Sequence, residues 1–95
     1  IILFLINGET IEGYTGYEDM DYAFSPDSTL LVISTFSMMR GINFAVYDLE
    51  TQQQLFFSGD YFAEGETAPR IAFSPDGKYL AILPEIGYPQ IWGIP

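Results

Sequence analysis

The pentapeptide Ala-Phe-Ser-Pro-Asp occurs twice, as residues 23–27 and again as residues 72–76, in a chain of only 95 residues. The similarity continues beyond this motif, because Leu-Val-Ile at residues 31–33 aligns with Leu-Ala-Ile at residues 80–82 at the same 49-residue offset. Internal similarity at a fixed offset is the mark of a repeated supersecondary unit. The repeat therefore constrains the fold more than any other feature of the sequence.

The distribution of apolar residues indicates β-structure throughout. Apolar residues occur in short runs broken by Gly, Pro, Asn, Asp and Ser, and helical periodicity is nearly absent. Such runs are typical of strands that are bounded by turns. The predicted strands are residues 1–6, 10–14, 22–24, 29–36, 42–49, 54–58, 70–73, 78–83 and 90–94, with a further extended edge at residues 60–63.

A unit of four strands accounts for the repeat. Residues 45–49 align with residues 90–94, although the preceding connection is four residues shorter in the second copy. A similar segment at residues 2–6 is followed by Asn7-Gly8, which is a strong signal for a tight turn between strands. One aromatic position recurs in the three segments, as Phe4, Tyr47 and Trp92.

We label the four strands a to d. Residues 1–15 then supply strands c and d of a first unit, residues 22–63 supply a complete unit, and residues 70–95 supply strands a, b and c of the next. A period of about 40 to 50 residues with four strands is typical of β-propeller blades. The sequence therefore predicts one all-β segment, residues 1–95, with about two blades of four antiparallel strands.

The repeated motif has a physical explanation as the turn between strands a and b. Proline presets φ, and the following aspartate can accept hydrogen bonds from the turn's backbone. Gly77 supplies a positive φ in the second copy, and we expect Ser28 to adopt the same conformation at a small cost. The motif residues are Phe24, Ser25, Pro26 and Asp27 in the first copy, and Phe73, Ser74, Pro75, Asp76 and Gly77 in the second.

The chain resembles β-propeller repeats of the WD type. The resemblance rests on Phe-Ser-Pro-Asp-Gly followed by Lys-Tyr-Leu-Ala at residues 73–81, and on Val-Tyr-Asp-Leu at residues 46–49. The propellers of the Tol-system periplasmic protein and of prolyl-oligopeptidase-like enzymes have a similar turn. The sequence departs from WD repeats where Gly16-Tyr17 and Gly65-Glu66 replace the usual Gly-His pair. The resemblance implies a propeller fold and an interaction or scaffold function.

Two blades do not close a propeller, which needs four to eight. Each blade buries its faces only against its neighbours, so two blades alone would expose large apolar surfaces. Three arrangements would cover these surfaces. The chain would be a segment of a longer propeller, a subunit whose copies close a ring, or a partial propeller capped by a partner.

The charge and the missing residue types exclude several functions. Thirteen acidic residues against three basic ones give a net charge of −10, which disfavours nucleic acids and anionic membranes as partners. Histidine and cysteine are absent, so the usual general base and the thiolate nucleophile are missing. We therefore predict a protein partner, no cofactor and no enzymatic activity.

Two acidic segments at equivalent positions of the repeat are candidates for a partner-binding rim. We expect both to be loops that precede strand a, and to bind a basic protein or peptide. Calcium is an alternative for the first segment, because oxygen ligands from loops suit this ion, and simple solubility is an alternative for both. The predicted rim comprises Glu18, Asp19 and Asp21, then Asp60, Glu64 and Glu66, with the flanking Tyr17 and Tyr61.

The sequence thus predicts a non-enzymatic propeller module that acts as an interaction scaffold. One alternative is a propeller segment of a larger hydrolase or translocation protein, in which it would gate access to a site elsewhere. Another is a purely structural subunit of an assembly.

Overall fold

A computed structural model describes residues 18–94 of the chain, and seven β-strands account for about half of them. No helix occurs within this range, which confirms the all-β prediction. The strands predicted at 1–6 and 10–14, together with Phe4 and Tyr17, lie outside the described residues. The strands are β1 (Asp19–Phe24), β2 (Leu30–Ser37), β3 (Gly41–Asp48), β4 (Gln54–Phe57), β5 (Arg70–Phe73), β6 (Tyr79–Leu83) and β7 (Gln90–Gly93).

The seven strands form two antiparallel sheets. The first sheet has the order β1-β2-β3-β4, and the second has the order β5-β6-β7. Within each sheet consecutive strands pair, so every connection within a sheet joins neighbours. This arrangement follows from the short, polar turns that separate the apolar runs.

The two sheets have the same register at the repeated positions. Leu31 lies opposite both Phe24 and Tyr47 in the first sheet. Leu80 lies opposite both Phe73 and Trp92 in the second. The position shared by Tyr47 and Trp92 is therefore equivalent in space as well as in sequence.

The repeated Ser-Pro-Asp turns have the same hydrogen bonds. Asp27 Oδ1 accepts from the Ser25 hydroxyl at 2.7 Å and from the Thr29 amide at 3.0 Å. Asp76 Oδ1 accepts from the Ser74 hydroxyl at 2.7 Å and from the Lys78 amide at 3.0 Å. These bonds to the ionised form, above all the one from serine, lower the pKa of each aspartate from its usual value.

Positive φ angles occur where the motif predicts them. Gly77 has a φ of 73°, and Ser28 has a φ of 62° at the equivalent position. The serine therefore adopts a left-handed conformation that glycine takes without penalty.

The main core lies between the two sheets. Val32 and Phe44 of the first sheet pack with Ile71, Leu80 and Ile82 of the second, and all five are buried. We call this the inter-sheet core. The side chains of Ala23, Val46, Phe62, Phe73, Trp92 and Ile94 pack around it. A second cluster lies on the other face of the first sheet and contains Leu31, Ile33, Ala45 and Tyr47.

Two of the predicted segments differ from the structure by more than one residue. Strand β1 begins at Asp19 rather than at Tyr22, because residues 34–36 at the end of the long β2 pair with it. A buried strand end needs partners for its backbone groups, and β1 supplies them. The extended edge predicted at residues 60–63 is a turn, since Tyr61 has a φ of 55°.

Candidate binding surfaces

One end of the two sheets carries most of the charge. The connections 37–41, 58–69 and 84–89 all lie at this end, because the strands alternate in direction. We call it the loop end. Among residues 18–94 it carries seven carboxylates and two arginines: Glu18, Asp19, Asp21, Asp60, Glu64, Glu66 and Glu85, with Arg40 and Arg70.

The structure places Asp19 and Asp21 within β1, where they connect the two sheets. Asp19 Oδ2 accepts a hydrogen bond from the Ala68 amide at 2.8 Å, and Asp21 Oδ2 accepts one from the Ile71 amide at 3.1 Å. The prediction that both aspartates lie in a loop is therefore wrong. Their carboxylates satisfy backbone donors at the start of the second sheet, so both acids have a fixed structural partner.

Glu18 precedes β1 and contacts the β2–β3 hairpin. Its Oε2 accepts a hydrogen bond from the Met38 amide at 3.2 Å. Within residues 18–94, no group of three or more Asp and Glu side chains is arranged to hold a metal ion. The geometry of Glu18, Asp19 and Asp21 thus gives no support to the calcium alternative.

Asp60 belongs to a local network. Its Oδ1 accepts from Arg40 Nε at 3.0 Å and from Asn43 Nδ2 at 3.3 Å. Arg40 also lies over the Phe57 ring, 5.7 Å from its centroid. The charge of Asp60 is therefore partly neutralised by a neighbour within the same sheet.

Tyr61 stabilises the β2–β3 hairpin, although its side chain is largely exposed. Its amide donates to the Arg40 carbonyl at 3.0 Å, and its hydroxyl donates to the Met39 carbonyl at 2.6 Å. The ring lies so close to Gly41 that a Cβ at that position would overlap it. Tyr61 thus has a structural role in addition to any role at the predicted rim.

Four glutamates are exposed at the loop end: Glu18, Glu64, Glu66 and Glu85. Glu85 was missed by the sequence analysis, because it stands alone in a connection rather than in an acidic run. Its Oε1 accepts a hydrogen bond from the Glu66 amide at 2.7 Å, which joins the connection 84–89 to the connection 58–69. A cavity of about 460 Å³ opens beside it, with Asp19, Asp21 and Arg70 among its lining residues.

A second candidate surface is the outer face of the second sheet, turned away from the inter-sheet core. Tyr79, Leu83 and Ile91 are 52%, 43% and 66% exposed on it. Ala72 and Ala81 lie between them at the centre of the sheet. We call these five residues the outer face. Their exposure agrees with the expectation that two stacked repeats leave apolar surface uncovered.

The described residues contain no helix long and apolar enough to span a membrane. No protein-family model matches the chain, and searches of curated proteins and of solved structures also give no match.

Proposed function

We propose that the chain is a β-propeller segment, similar to WD repeats, that acts as a non-enzymatic scaffold and binds a protein or peptide. The observation that supports this best is the equal register of the two sheets. A strand order and register that recur after 49 residues are what successive propeller blades would have. Such repeats commonly present connections at one end of the stack as a binding surface.

The residue chemistry favours binding over catalysis. The whole sequence lacks histidine and cysteine, so no serine or threonine has the usual activating partner. Asp19, Asp21 and Glu85 line the cavity of about 460 Å³, and each accepts a hydrogen bond from a backbone amide. Groups committed in this way position the sheets and are poorly suited to accept a proton from a substrate.

The proposed partner is a basic segment of a protein, bound at the loop end. Glu64, Glu66 and Glu85 lie there with exposed side chains. Their charges would attract lysine and arginine side chains and accelerate encounter with a cationic partner. The exposed aromatic ring of Tyr61 lies in the same region and could contact the stems of such side chains.

A basic peptide can test whether the loop end binds a cationic partner. A fluorescent lysine-rich peptide should bind the 95-residue chain, and the affinity should fall as salt is raised because exposed charges are screened. The double variant Glu64→Gln/Glu66→Gln should bind about two- to thirtyfold more weakly, given about 0.2–1 kcal/mol for each of two exposed ion pairs. Fluorescence anisotropy measures both effects.

The matched control is Glu50→Gln, which makes the same chemical change in the β3–β4 turn at the opposite end. It should leave the affinity unchanged. Equal binding of an acidic peptide, or an equal loss of affinity in the control, would contradict the proposed binding site.

A further inference from the structure

The contact between the two sheets joins a surface of the first sheet, the receiving side, to a surface of the second sheet, the inserting side. Because the two sheets are repeats of one unit, each sheet also has residues equivalent to the side that the other sheet contributes. The receiving side is on the first sheet, where Ala23, Val32 and Val46 pack in or around the inter-sheet core. At the equivalent positions of the second sheet, the registers place Ala72, Ala81 and Ile91. These three residues belong to the outer face, so a second receiving side is exposed.

Part of the inserting side of the internal contact is on β5, and Leu80 and Ile82 of β6 supply its other buried side chains. Ile71 and Phe73 extend from β5 into the inter-sheet core, and β5 contacts both β1 and β2. The equivalent residues on β1 are Tyr22 and Phe24, which lie opposite Ile33 and Leu31. We call Tyr22 and Phe24 the aromatic pair.

The aromatic pair is exposed, in contrast to its equivalents on β5. Tyr22 is 56% exposed and Phe24 is 49% exposed, whereas Ile71 is 8% exposed. The two rings contact each other edge to face, with centroids 6.0 Å apart. Adjacent exposed aromatics are among the side chains that contribute most to protein association. The β1 part of a second inserting side is therefore exposed, whereas Leu31 and Ile33, the equivalents of Leu80 and Ile82, are buried.

We propose that the outer face binds the aromatic pair of a second copy of this chain. The contact would be head to tail, because the two complementary surfaces lie on different sheets of one molecule. The inserting strand β1 of one copy would lie across β5 and β6 of the next, as β5 lies across β1 and β2 within one chain.

Charge at the edge of this contact also favours a second copy. Arg70 is exposed and occupies the position equivalent to Asp21. In the internal contact Asp21 accepts from the Ile71 amide, whereas a guanidinium at this position would donate to an acceptor on the partner. The start of β1 in a second copy carries the acids Asp19 and Asp21, and Glu18 directly precedes it. They would come near Arg70 and partly offset the repulsion between two strongly negative chains.

The proposal rests on the scaffold function but not on the basic partner.

A head-to-tail contact makes a prediction that a symmetric contact does not. Blocking the aromatic pair in one variant and the outer face in another leaves each variant with one intact surface. Neither variant should associate alone, but an equal mixture should form a one-to-one complex that cannot grow further.

The variants Phe24→Asp and Ala72→Glu place a charge on the aromatic pair and on the outer face, respectively. Both residues are exposed, so folding should persist, and circular dichroism checks it. Sedimentation velocity should follow association from about 1 μM to about 1 mM, the range expected for a small transient interface. The wild-type chain should form dimers and larger species, and each variant should associate at least about tenfold more weakly.

Met39→Asp is the control, because Met39 is 87% exposed and lies outside both surfaces. It should associate like the wild type. If Phe24→Asp does not fold, Tyr22→Asp replaces it. If Ala72→Glu does not fold, Leu83→Asp replaces it.

Three results would overturn the proposal. The first is a wild-type chain that stays monomeric over the whole concentration range, which would favour a different protein as the occupant of the outer face. The second is undiminished association of Phe24→Asp, which would indicate a symmetric contact between two outer faces. The third is an equal mixture of the folded variants that forms no complex. None of these experiments includes a peptide, so their failure is distinguishable from failure of the proposed peptide binding.

Discussion

At the scale of single residues, the left-handed conformation in the two Ser-Pro-Asp turns offers a matched pair of sites. Ser28 and Gly77 have φ angles of 62° and 73°, and in each turn the amide of this residue donates to the serine carbonyl three positions earlier at 2.9 Å. Only the glycine adopts this conformation without steric cost. The cost at Ser28 is therefore present in the native protein and can be removed.

We predict opposite effects on stability for exchanges at these two positions. Ser28→Gly should raise the free energy of unfolding and Gly77→Ser should lower it, each by about 1 kcal/mol. Urea denaturation measures both changes. Equal signs for the two substitutions would show that side-chain contacts, rather than backbone conformation, decide the outcome.

The aspartates of the same turns should make stability depend on pH. The folded-state pKa of Asp27 and of Asp76 lies below its ordinary value because serine and backbone donors bond the ionised form. Their contribution is thus complete above the unfolded-state value of about 3.9 and is lost as pH falls through the folded-state pKa.

The double variant Asp27→Asn/Asp76→Asn tests this dependence. It should be less stable than the wild type at pH 7, and the difference should shrink as pH is lowered toward 2. Urea denaturation at a series of pH values provides the measurement. A constant difference over this range would mean that protonation of the two carboxyls does not matter to the turns.

At the scale of strands, the second sheet begins where β1 supplies acceptors for its amides. Asp19 and Asp21 accept from Ala68 and Ile71, and in each case the donor lies 49 or 50 residues along the chain. These two bonds, together with a buried one from the Ser34 hydroxyl to the Pro69 carbonyl, supplement the apolar packing between the sheets. They therefore fix how far one sheet can slide along the other.

We predict that Asp21→Ala loosens this junction. Loss of a hydrogen bond to a charged group costs about 1.5–3 kcal/mol in general, and we expect the lower part of that range because Asp21 is only partly buried. Amide hydrogen exchange should become faster at Ile71 and hardly change at Val32, which belongs to the first sheet. Glu50→Ala is the control, and uniform acceleration at both amides would contradict a local role.

The strands also show what the sequence could and could not predict. The a–b turns follow from local chemistry, because Pro, Asp and Gly act within four residues of one another. The lengthening of β1 to Asp19 depends on the end of β2, which lies 15 or more residues away. An acidic run has the composition of a loop, so only the pairing partner reveals that Asp19 and Asp21 belong to a strand.

At the scale of the whole molecule, the charge is unevenly distributed. The loop end has seven carboxylates and two arginines among residues 18–94, whereas the turns at the opposite end have four carboxylates and one lysine. The sequence predicted an acidic rim because equivalent loops of successive repeats lie at the same end. It could not predict that Asp19, Asp21 and Asp60 are engaged in hydrogen bonds, since their donors are distant in the chain.

The position of Trp92 gives the protein a built-in optical probe. It is the only tryptophan of the chain, and its ring lies 5.4 Å from that of Phe44 and 5.6 Å from that of Phe56. Both phenylalanines belong to the first sheet, whereas Trp92 belongs to the second. Its emission spectrum should therefore respond when water enters the junction between the two sheets. Separation of the two sheets becomes visible without a label.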